Sequence, residues 1–407
     1  MAKLKPFWWY RLLWWFLWPV VVCRYLIKSF SQAAYRSGLL QRLGLVKYGS
    51  YDIVIHAASV GEAKIALWLR SYLSKKTKVL FCTSTPTGRS VILAANKMRD
   101  DHAYWPLDHS WIVKSWFKRV AMKHLVLVES ELWPEACFQA KMNQIPIWVI
   151  NARLSNRTFS RYQRFGGLIR QISSCVSGVF PESDQSAFYF KKLGFTVLND
   201  DYVSLKWGQR RPVILDDLRR KILSIKTKPI VVVASTHPGE EQLIVQSLPT
   251  CLQSIHLVVI PRHPHRASKL KSDLAGSFII DDSINAFNGI GLVAALGQLG
   301  TWFDLADVII MGGSYVSIGG HNPIETAWSN APVIVGHSVH NFQAIYTDLV
   351  NAGLVWPVRC GFLDLWLHKI LNHCDYFKTK ASSFVDYLDK NNDKVNQLGI
   401  GFEKMLT

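Results

Sequence analysis

The chain has 407 residues, of which 49% are hydrophobic, and it carries a formal net charge of +18 at pH 7. This length allows two domains with separate cores, and the charge favours an anionic partner such as nucleic acid, anionic lipid or a phosphorylated substrate. The seven cysteines form no Cys-x-x-Cys pair and several lie in apolar runs, which argues against a disulfide framework or a zinc site.

The N-terminus is rich in tryptophan and in basic residues, and no acidic residue precedes Asp52. As a helix, the uncharged run 12–23 spans only ~18 Å, whereas the hydrocarbon core of a bilayer is ~30 Å thick. A spanning helix would therefore need residues 7–27, with Arg11 and Arg24 snorkelling. A helix lying in the interface is equally consistent, and a cleaved signal peptide is the least consistent. We expect residues 1–30 to be a retained anchor on an anionic cytoplasmic leaflet, and removal of residues 1–28 to leave the body folded.

From Tyr51 onward, short apolar runs alternate with amphipathic segments. Because the runs are apolar throughout, they predict parallel strands that are buried on both faces. The predicted strands are 52–57, 78–84, 124–128, 146–150, 175–180, 229–234, 257–261, 278–281, 292–296, 308–311 and 333–336. The pattern therefore indicates an α/β protein with two doubly wound domains facing a cleft, and a hinge within 199–217.

Ligands of such folds bind at the carboxyl ends of the strands, so the residues that follow strands are candidate site residues. In the first half these positions hold carboxylates, namely Glu62, Glu129 and Glu131. Ser59 and Glu62 also form a capping-box pattern, in which Glu62 accepts the backbone N–H of Ser59. The first half therefore predicts a carboxylate cluster.

In the second half, the corresponding turns hold Thr236, His237, Arg262 and His263. A further segment, 311–325, has the pattern of a strand end, a glycine turn and the start of a new helix. Asn322 is suited to the N-cap, Pro323 to the first helical position and Glu325 to the capping box. Such a helix start suits a phosphate, and Gly319 and Gly320 permit close backbone approach beside His321. The second half therefore predicts an anion-binding site.

Other sites fit the sequence less well. No G-x-G-x-x-G, Walker A or G-x-S-x-G pattern follows a strand, which argues against a dinucleotide dehydrogenase, a P-loop enzyme and an α/β-hydrolase. The closely spaced histidines 263/265 and 337/340 lack a carboxylate cluster, so a metal site is a poorer interpretation. Arg153, Arg157, Arg161 and Arg164 fall at helical spacing, which fits either a solvated basic face or docking to lipid phosphates, and not nucleic acid.

Eight ordered motifs resemble those of the Kdo (3-deoxy-D-manno-octulosonic acid) transferase family. They are HAASVGE at 56–62, TSTPTG at 83–88, ESELWP at 129–134, NARLS at 151–155, SLK at 204–206, STHPGEE at 235–241, PRHP at 261–264 and GGHNPIE at 319–325. The resemblance implies two Rossmann-like domains of GT-B type with a short N-terminal membrane anchor. It also implies inverting, metal-independent transfer of Kdo from CMP-Kdo to a lipid A precursor, with no cofactor, at the cytoplasmic face of the inner membrane.

The resemblance further implies an acceptor-binding domain at 31–205 and a CMP-sugar-binding domain at 206–407, whose terminal helix packs back on the first. Glu62 is the expected base, and Glu129, Glu131 and Lys206 are expected to support the acceptor or the transition state. The residues expected to bind the donor are Thr236, His237, Arg262, His263, Gly319, Gly320, His321, Asn322 and Glu325, with Glu325 on the ribose. Three alternatives remain open: a UDP-sugar glycosyltransferase, a nucleotide-sugar epimerase and a non-catalytic basic membrane adaptor.

Overall fold

The computed structural model describes residues 8–31, 33–36, 38–95, 100–209, 211–281 and 283–406. It divides into two compact units, the first formed by Met1–Gly208 with Lys394–Thr407 and the second by Gln209–Asp393. Each unit is built on one sheet, and all paired neighbours in both sheets run parallel. The two parallel α/β domains expected from the apolar runs are confirmed.

The first sheet has six strands in the order β3-β2-β1-β4-β5-β6. Its strands are β1 (Ser50–Ala57), β2 (Val79–Thr83), β3 (Asp101–Tyr104), β4 (Ala121–Val128), β5 (Ile147–Ala152) and β6 (Gly178–Pro181). The order of succession reverses between β1 and β4. In open parallel sheets such a switch point leaves a crevice at the carboxyl ends of its two strands.

The second sheet has seven strands in the order β13-β12-β11-β7-β8-β10-β9. They are β7 (Ile230–Thr236), β8 (His256–Pro261), β9 (Ser277–Ile280), β10 (Ile290–Val293), β11 (Val308–Met311), β12 (Val333–Val335) and β13 (Val355–Pro357). Its switch point lies between β7 and β11. The two central strands, β7 and β11, are buried on both faces, as the continuous apolar runs predicted. In β7, for example, Val231, Val232 and Val233 are each 0% exposed. Burial of each such side chain contributes roughly 1.5–3 kcal/mol.

The helices and short 3-10 turns connect these strands. The helices are α1 (Trp8–Ser31), α2 (Ala33–Arg36), α3 (Leu39–Arg42), α4 (Val60–Tyr72), α5 (Pro86–Ala95), α6 (Ser110–Arg119), α7 (Pro134–Met142), α8 (Asn156–Arg164), α9 (Gly166–Cys175), α10 (Asp184–Lys192), α11 (Asp216–Ile225), α12 (Glu240–Gln246), α13 (Ala267–Asp273), α14 (Leu299–Leu305), α15 (Gln343–Asn351), α16 (Leu363–Asn372) and α17 (Cys374–Leu406). Single 3-10 turns occur at Leu205–Trp207, Cys251–Gln253, Pro264–Arg266, Pro323–Thr326 and Cys360–Phe362. Helix α17 begins in the second unit, and its residues from Lys394 onward belong to the first.

Four strand predictions were wrong or incomplete. The predicted strand 292–296 corresponds to β10, which spans Ile290–Val293 and therefore ends three residues earlier. The predicted strand 175–180 begins only at Gly178, because Cys175 ends helix α9. Strand β3 was missed because its sequence, Asp-His-Ala-Tyr, is half polar; pairing with β2 through residues 80–83 brings it into the sheet. Strand β13 was missed because it has only three residues, and pairing with β12 defines it.

Helix α1 packs on the first unit, which argues against the expectation that the N-terminal segment can be removed without unfolding the body. Arg11 makes two hydrogen bonds to the buried carboxylate of Glu135 in α7, at 2.9 and 2.7 Å. The hydroxyl of Tyr10 donates to Asp108 at 2.8 Å, and Asp108 also accepts the backbone N–H groups of Glu135 and Ala136. Removal of α1 would leave Glu135 buried without its guanidinium partner.

A second contact joins the N-terminal segment to the sheet. The buried guanidinium of Arg42 lies 4.0 Å from the ring centroid of Tyr104 in β3, and 5.4 and 5.9 Å from the rings of Tyr25 and Tyr35. These cation–π contacts tie α1, α2 and β3 together. Among the described residues, no helix combines the length and the apolarity needed to cross a bilayer. Residues 1–7 of the expected anchor lie outside the described residues.

The four arginines at helical spacing do not all lie on one helix. Arg153 precedes helix α8 and pairs with Glu182 at 3.4 Å, so it does not belong to the helical face predicted from its spacing. Arg157, Arg161 and Arg164 do lie on α8, where all three are exposed. The basic face of this helix is therefore smaller than the sequence spacing indicated.

Candidate active site

Several candidate residues of each unit follow the two strands that flank its switch point. In the first unit, Glu62 follows β1, and Glu129 and Glu131 follow β4. In the second unit, His237 follows β7 and His321 lies in the segment after β11. The predicted carboxylate and anion-binding clusters therefore lie at the positions where open parallel sheets bind ligands.

Glu62 lies in the first turn of α4 and is 7% exposed. The Ser59 hydroxyl accepts the backbone N–H of Glu62 at 3.3 Å, while the Glu62 carboxylate accepts the N–H of Ala58 at 2.7 Å. The capping box thus closes one residue earlier than predicted, on Ala58 rather than Ser59. The pKa of Glu62 is raised to about 7, chiefly by burial and secondarily by the charges of Glu131 and Glu129. A carboxylate with this pKa is suited to accept a proton at neutral pH.

Glu131 has a different environment. Its Oε2 accepts the indole N–H of Trp133 at 2.9 Å and lies 3.4 Å from Nε2 of His56, which is fully buried. Burial alone would raise the pKa of Glu131, but the contact with His56 and the Trp133 hydrogen bond lower it below its usual value. Glu131 is therefore ionised under conditions in which Glu62 takes up a proton.

Glu129 forms an ion pair with Lys206 at 2.9 Å. Lys206 lies in the 3-10 turn 205–207, whose backbone is fixed by a 2.7 Å hydrogen bond from Leu205 N–H to Asn151. Glu129 has a left-handed φ of 59°, which is unfavourable for a residue with a side chain and is concentrated at functional sites. The structure thus brings Glu62, Glu129, Glu131 and Lys206 into one cluster.

Two histidines lie side by side in the second unit. Nε2 of His237 is 2.9 Å from Nε2 of His321, and the rings are parallel to within 7°. One nitrogen must donate and the other accept, so the pair shares one proton. Burial and the neighbouring charges lower both pKa values, that of His321 to about 4. The lowered pKa values favour the neutral form of both rings, and Arg262 and Arg266 supply positive charge nearby.

Arg262 and His263 follow β8 and are both exposed. The backbone N–H of Arg262 donates to the carbonyl of Thr236 at 3.0 Å, which joins the two turns. Buried Thr236 donates its hydroxyl to Glu241 at 2.7 Å, and Glu241 also pairs with Arg266 at 2.8 Å. Thr236 therefore supports this turn through its side chain, while Arg262 and His263 are open to an anion.

Glu240 fixes the other side of the histidine pair. Its buried carboxylate accepts three backbone N–H groups, from His237 at 3.1 Å, Gly313 at 2.7 Å and Tyr315 at 2.9 Å. These bonds join the turn after β7 to the turn after β11. Helix α12 begins at Glu240, four residues after Thr236.

The segment 319–325 differs from its prediction. The Asn322 side chain accepts the N–H of Ile324 at 3.2 Å, but it caps only the 3-10 turn Pro323–Thr326 and not an α-helix. Gly319 and Gly320 are buried with φ of 102° and 75°, and a Cβ at Gly319 would lie 2.6 Å from His340. Protein packing therefore accounts for these glycines without a ligand. Glu325 lines a small pocket with Arg211, Gly300 and Asp304.

The sequence of a known enzyme aligns with almost the whole chain. The 3-deoxy-D-manno-octulosonic acid transferase of Haemophilus influenzae is 31% identical over 407 residues, covering 93% of this chain and 94% of the relative. The chain belongs to the Kdo transferase family. It is therefore a glycosyltransferase, and the family predicted from the ordered motifs is confirmed.

Two further comparisons agree with this Kdo transferase assignment. The family model described as 3-deoxy-D-manno-octulosonic-acid transferase matches residues 37–200, which include Glu62, Glu129 and Glu131. The transferase of Rickettsia bellii is 26% identical over 355 residues, covering 84% of this chain and 80% of the relative. The solved structure of a glycosyltransferase from Rickettsia africae covers 88% of this chain and 99% of its own, with a TM-score of 0.59 and 13% identity. At that identity the structural match supports the GT-B fold alone.

Several residues of this Kdo transferase homologue were given no separate role by the sequence. His56, Glu240 and Glu241 were recognised only as parts of motifs. Their roles depend on partners far along the chain, so no local spacing could reveal them. Among the described residues, one group of potential metal ligands, Cys251, Asp364 and His368, lies within 4.8 Å. Asp364 there already accepts the N–H groups of Thr250 and Cys251, so we assign it a capping role.

Proposed function

We propose that this enzyme transfers Kdo from CMP-Kdo to a lipid A precursor in lipopolysaccharide biosynthesis, with inversion of the anomeric carbon and without metal or cofactor. Membership of the Kdo transferase family supports the transferred sugar. The observation that carries the mechanism is the environment of Glu62, a buried carboxylate whose pKa is raised to about 7 beside two other carboxylates. A single base of this kind is what a nucleotide-sugar transferase needs.

In the proposed step, Glu62 removes the proton of an acceptor hydroxyl as its oxygen attacks the anomeric carbon of Kdo. The bond from that carbon to the phosphate oxygen breaks, and CMP leaves with the electron pair. Attack opposite the leaving group inverts the anomeric centre. A second, protonated carboxylate is unnecessary because the phosphate leaves as an anion, in contrast to glycoside hydrolysis. Glu131 and Glu129, the latter paired with Lys206, position the acceptor and tune Glu62.

We assign the CMP phosphate to the turns after β7, β8 and β11. Arg262 and His263 are exposed there, and the ring of His263 lies 6.4 Å from that of His237, which is paired with His321. Such groups stabilise charge that develops on a leaving phosphate. Glu325, Asn322, Gly319 and Gly320 remain proposed donor contacts, with Glu325 on the ribose.

We further propose that the protein binds the anionic, cytoplasmic face of the inner membrane through α1. The helix exposes large apolar side chains, with Trp8, Trp15 and Phe16 69%, 65% and 75% exposed. Trp9 stacks on Phe165, the residue after the basic helix α8, with ring centroids 6.4 Å apart. An aromatic face beside exposed arginines suits a helix lying in an anionic headgroup layer.

Sedimentation with lipid vesicles tests this attachment. Wild-type protein should bind vesicles that contain anionic lipid and bind neutral vesicles more weakly. Trp15→Ser/Phe16→Ser should reduce binding to both, while the control Leu365→Ser, an exposed apolar residue of α16, should not. Equal binding of wild type and Trp15→Ser/Phe16→Ser would exclude α1 as the attachment face.

A direct assay tests the reaction. Purified protein is incubated with a lipid A precursor and, separately, with CMP-Kdo or UDP-N-acetylglucosamine, and products are identified by mass. We expect the acceptor to gain Kdo with CMP-Kdo only, at a rate that a chelator does not change. Transfer or epimerisation of the UDP-sugar instead would support the alternative enzyme classes, and a chelator-sensitive rate would overturn metal independence.

A further inference from the structure

His56 lies between two hydrogen-bond acceptors and has no solvent exposure. Its Nδ1 is 3.3 Å from the carbonyl oxygen of Cys82, and its Nε2 is 3.4 Å from Oε2 of Glu131. A carbonyl can only accept, and Oε2 of Glu131 already accepts the indole N–H of Trp133. Both ring nitrogens of His56 therefore need to donate, and only the imidazolium form carries a proton on each.

The surroundings suit a cation at this position. The ring of His56 stacks on the indole of Trp105 with centroids 4.1 Å apart and planes 20° apart, which allows a cation–π interaction. The 3.4 Å separation from Glu131 is long for a hydrogen bond, and Nε2 has no closer partner among the described residues. The contact therefore has the distance of an ion pair and not that of a short hydrogen bond.

The other titratable groups near the pair do not supply that charge. Glu62 and Glu129 are acids, and Lys206 is paired with Glu129. Burial raises the pKa values of the Tyr162 hydroxyl and the Cys82 thiol, which keeps both neutral. Glu131 therefore depends on His56 as its cation.

We propose that His56 is a positioning residue whose positive charge keeps Glu131 ionised, so that Glu62 and not Glu131 takes the acceptor proton. The inference rests on the proposed role of Glu62 as base. Two neighbouring carboxylates otherwise share the first proton that they bind. With His56 charged, that proton goes to Glu62, and the base is assigned uniquely.

The pH dependence of kcat/KM tests this role. In wild type, kcat/KM should fall as the pH drops below about 7, where Glu62 becomes protonated. His56→Gln keeps an N–H group near Glu131, and His56→Asn keeps one near Cys82, but neither carries a charge. Because loss of a cation raises carboxylate pKa values, both variants should shift the acid limb of the profile to higher pH by roughly one unit. At a pH below the limb, their kcat/KM should then be about tenfold lower than that of wild type.

Two further variants make the test selective. His102→Gln removes another partly buried histidine of the same sheet, whose pKa is lowered to about 4, so its neutral ring should leave the limb in place. Glu131→Gln removes the negative charge beside Glu62 and should move the limb downward. Unchanged limbs in both His56 variants, or a shift in His56→Asn alone, would overturn the proposal in favour of a structural role.

A readout without activity separates this inference from the proposed function. In nitrogen-15 spectra of the histidine rings at pH 8, the signal that disappears in His56→Gln should have both nitrogens protonated. A neutral tautomer there would overturn the proposal, whatever reaction the enzyme catalyses. If the spectra show the imidazolium but Glu62→Gln retains transfer, only the assignment of Glu62 as base fails.

Discussion

Glu62 and Glu240 occupy equivalent places in the two units but have different hydrogen-bond partners. Each is buried in the first turn of the helix that follows the strand where its sheet begins, and burial raises the pKa of both. Glu240 accepts three backbone N–H groups, whereas the Glu62 carboxylate accepts that of Ala58. Burial alone therefore does not identify a base. A base also needs a carboxylate oxygen that is not occupied by backbone N–H groups.

The charges around the two residues differ in the same way. Glu62 lies beside the acids Glu131 and Glu129, which raise its pKa and suit proton uptake. Glu240 lies beside the His237–His321 pair, where an anion is expected to bind. We therefore propose that similar sheet topology serves base chemistry in one unit and anion binding in the other, because the side chains at the strand ends differ.

Of the variants considered, Glu62→Gln should cause the largest change in the rate of transfer. An amide cannot take a proton, so transfer should fall roughly a hundred- to ten-thousandfold at pH 8. The melting temperature should stay the same or rise, because a group whose pKa is raised in the folded state destabilises that state once it ionises above about pH 7. Rates come from product mass and stability from calorimetry. Transfer within a few-fold of wild type would place the base elsewhere, and Glu131 would be tested next.

A matched control for this variant is Ser59→Ala. It removes the hydroxyl that accepts the N–H of Glu62 and should cost about 1 kcal/mol of stability while largely preserving transfer. The two variants thus separate the cap from the base. Loss of transfer in Ser59→Ala at unchanged stability would indicate that the serine itself contacts substrate.

Glu135 is a third buried glutamate, and its partner is the charged guanidinium of Arg11. Arg11→Ala should leave Glu135 uncompensated and destabilise the first unit by about 3–5 kcal/mol, measured by urea unfolding. Arg24→Ala, on an exposed position of the same helix, should change stability by less than about 0.5 kcal/mol. If Arg11→Ala is as stable as wild type, the expectation that α1 can be removed without unfolding the first unit would be supported.

Glu240→Gln should show the opposite pattern to Glu62→Gln. The amide group would direct N–H donors at backbone N–H groups and should destabilise the second unit by about 1–3 kcal/mol. At saturating donor, kcat should stay within a few-fold of wild type, because Glu240 carries no proton in the reaction. A large loss of kcat with unchanged unfolding would reverse the roles assigned to the two glutamates.

The smallest effect is expected at the donor site. Arg262→Ala should raise KM for CMP-Kdo about tenfold and leave KM for the acceptor unchanged, since it removes one charge-assisted contact to the nucleotide. Lys269→Ala, another exposed basic residue in α13, is the control. Unchanged CMP affinity of Arg262→Ala by calorimetry would move the phosphate away from the turn after β8.

The sequence was sufficient to predict both parallel sheets and the clustering of strand-end residues. A strand formed by a continuous apolar run such as 229–234 has apolar side chains on both faces, so both faces must be buried. The carboxyl ends of parallel strands lie at one edge of the sheet, which brings the residues that follow them together. Predictions failed where pairing outweighed local pattern, as in the half-polar β3. They also failed where a local pattern had two outcomes, as at Asn322, which caps a 3-10 turn and not an α-helix.

What the sequence by itself determined is therefore the architecture, the family and the residue types at each strand end, because these follow from local patterns and motif order. What only the tertiary structure decided is which charges are paired. Arg11 and Glu135 are 124 positions apart, and the partners of Glu131 and Glu129, His56 and Lys206, lie on other segments. Burial makes an unpaired charge unfavourable, so these distant partners determine which carboxylate stays ionised and which can accept a proton.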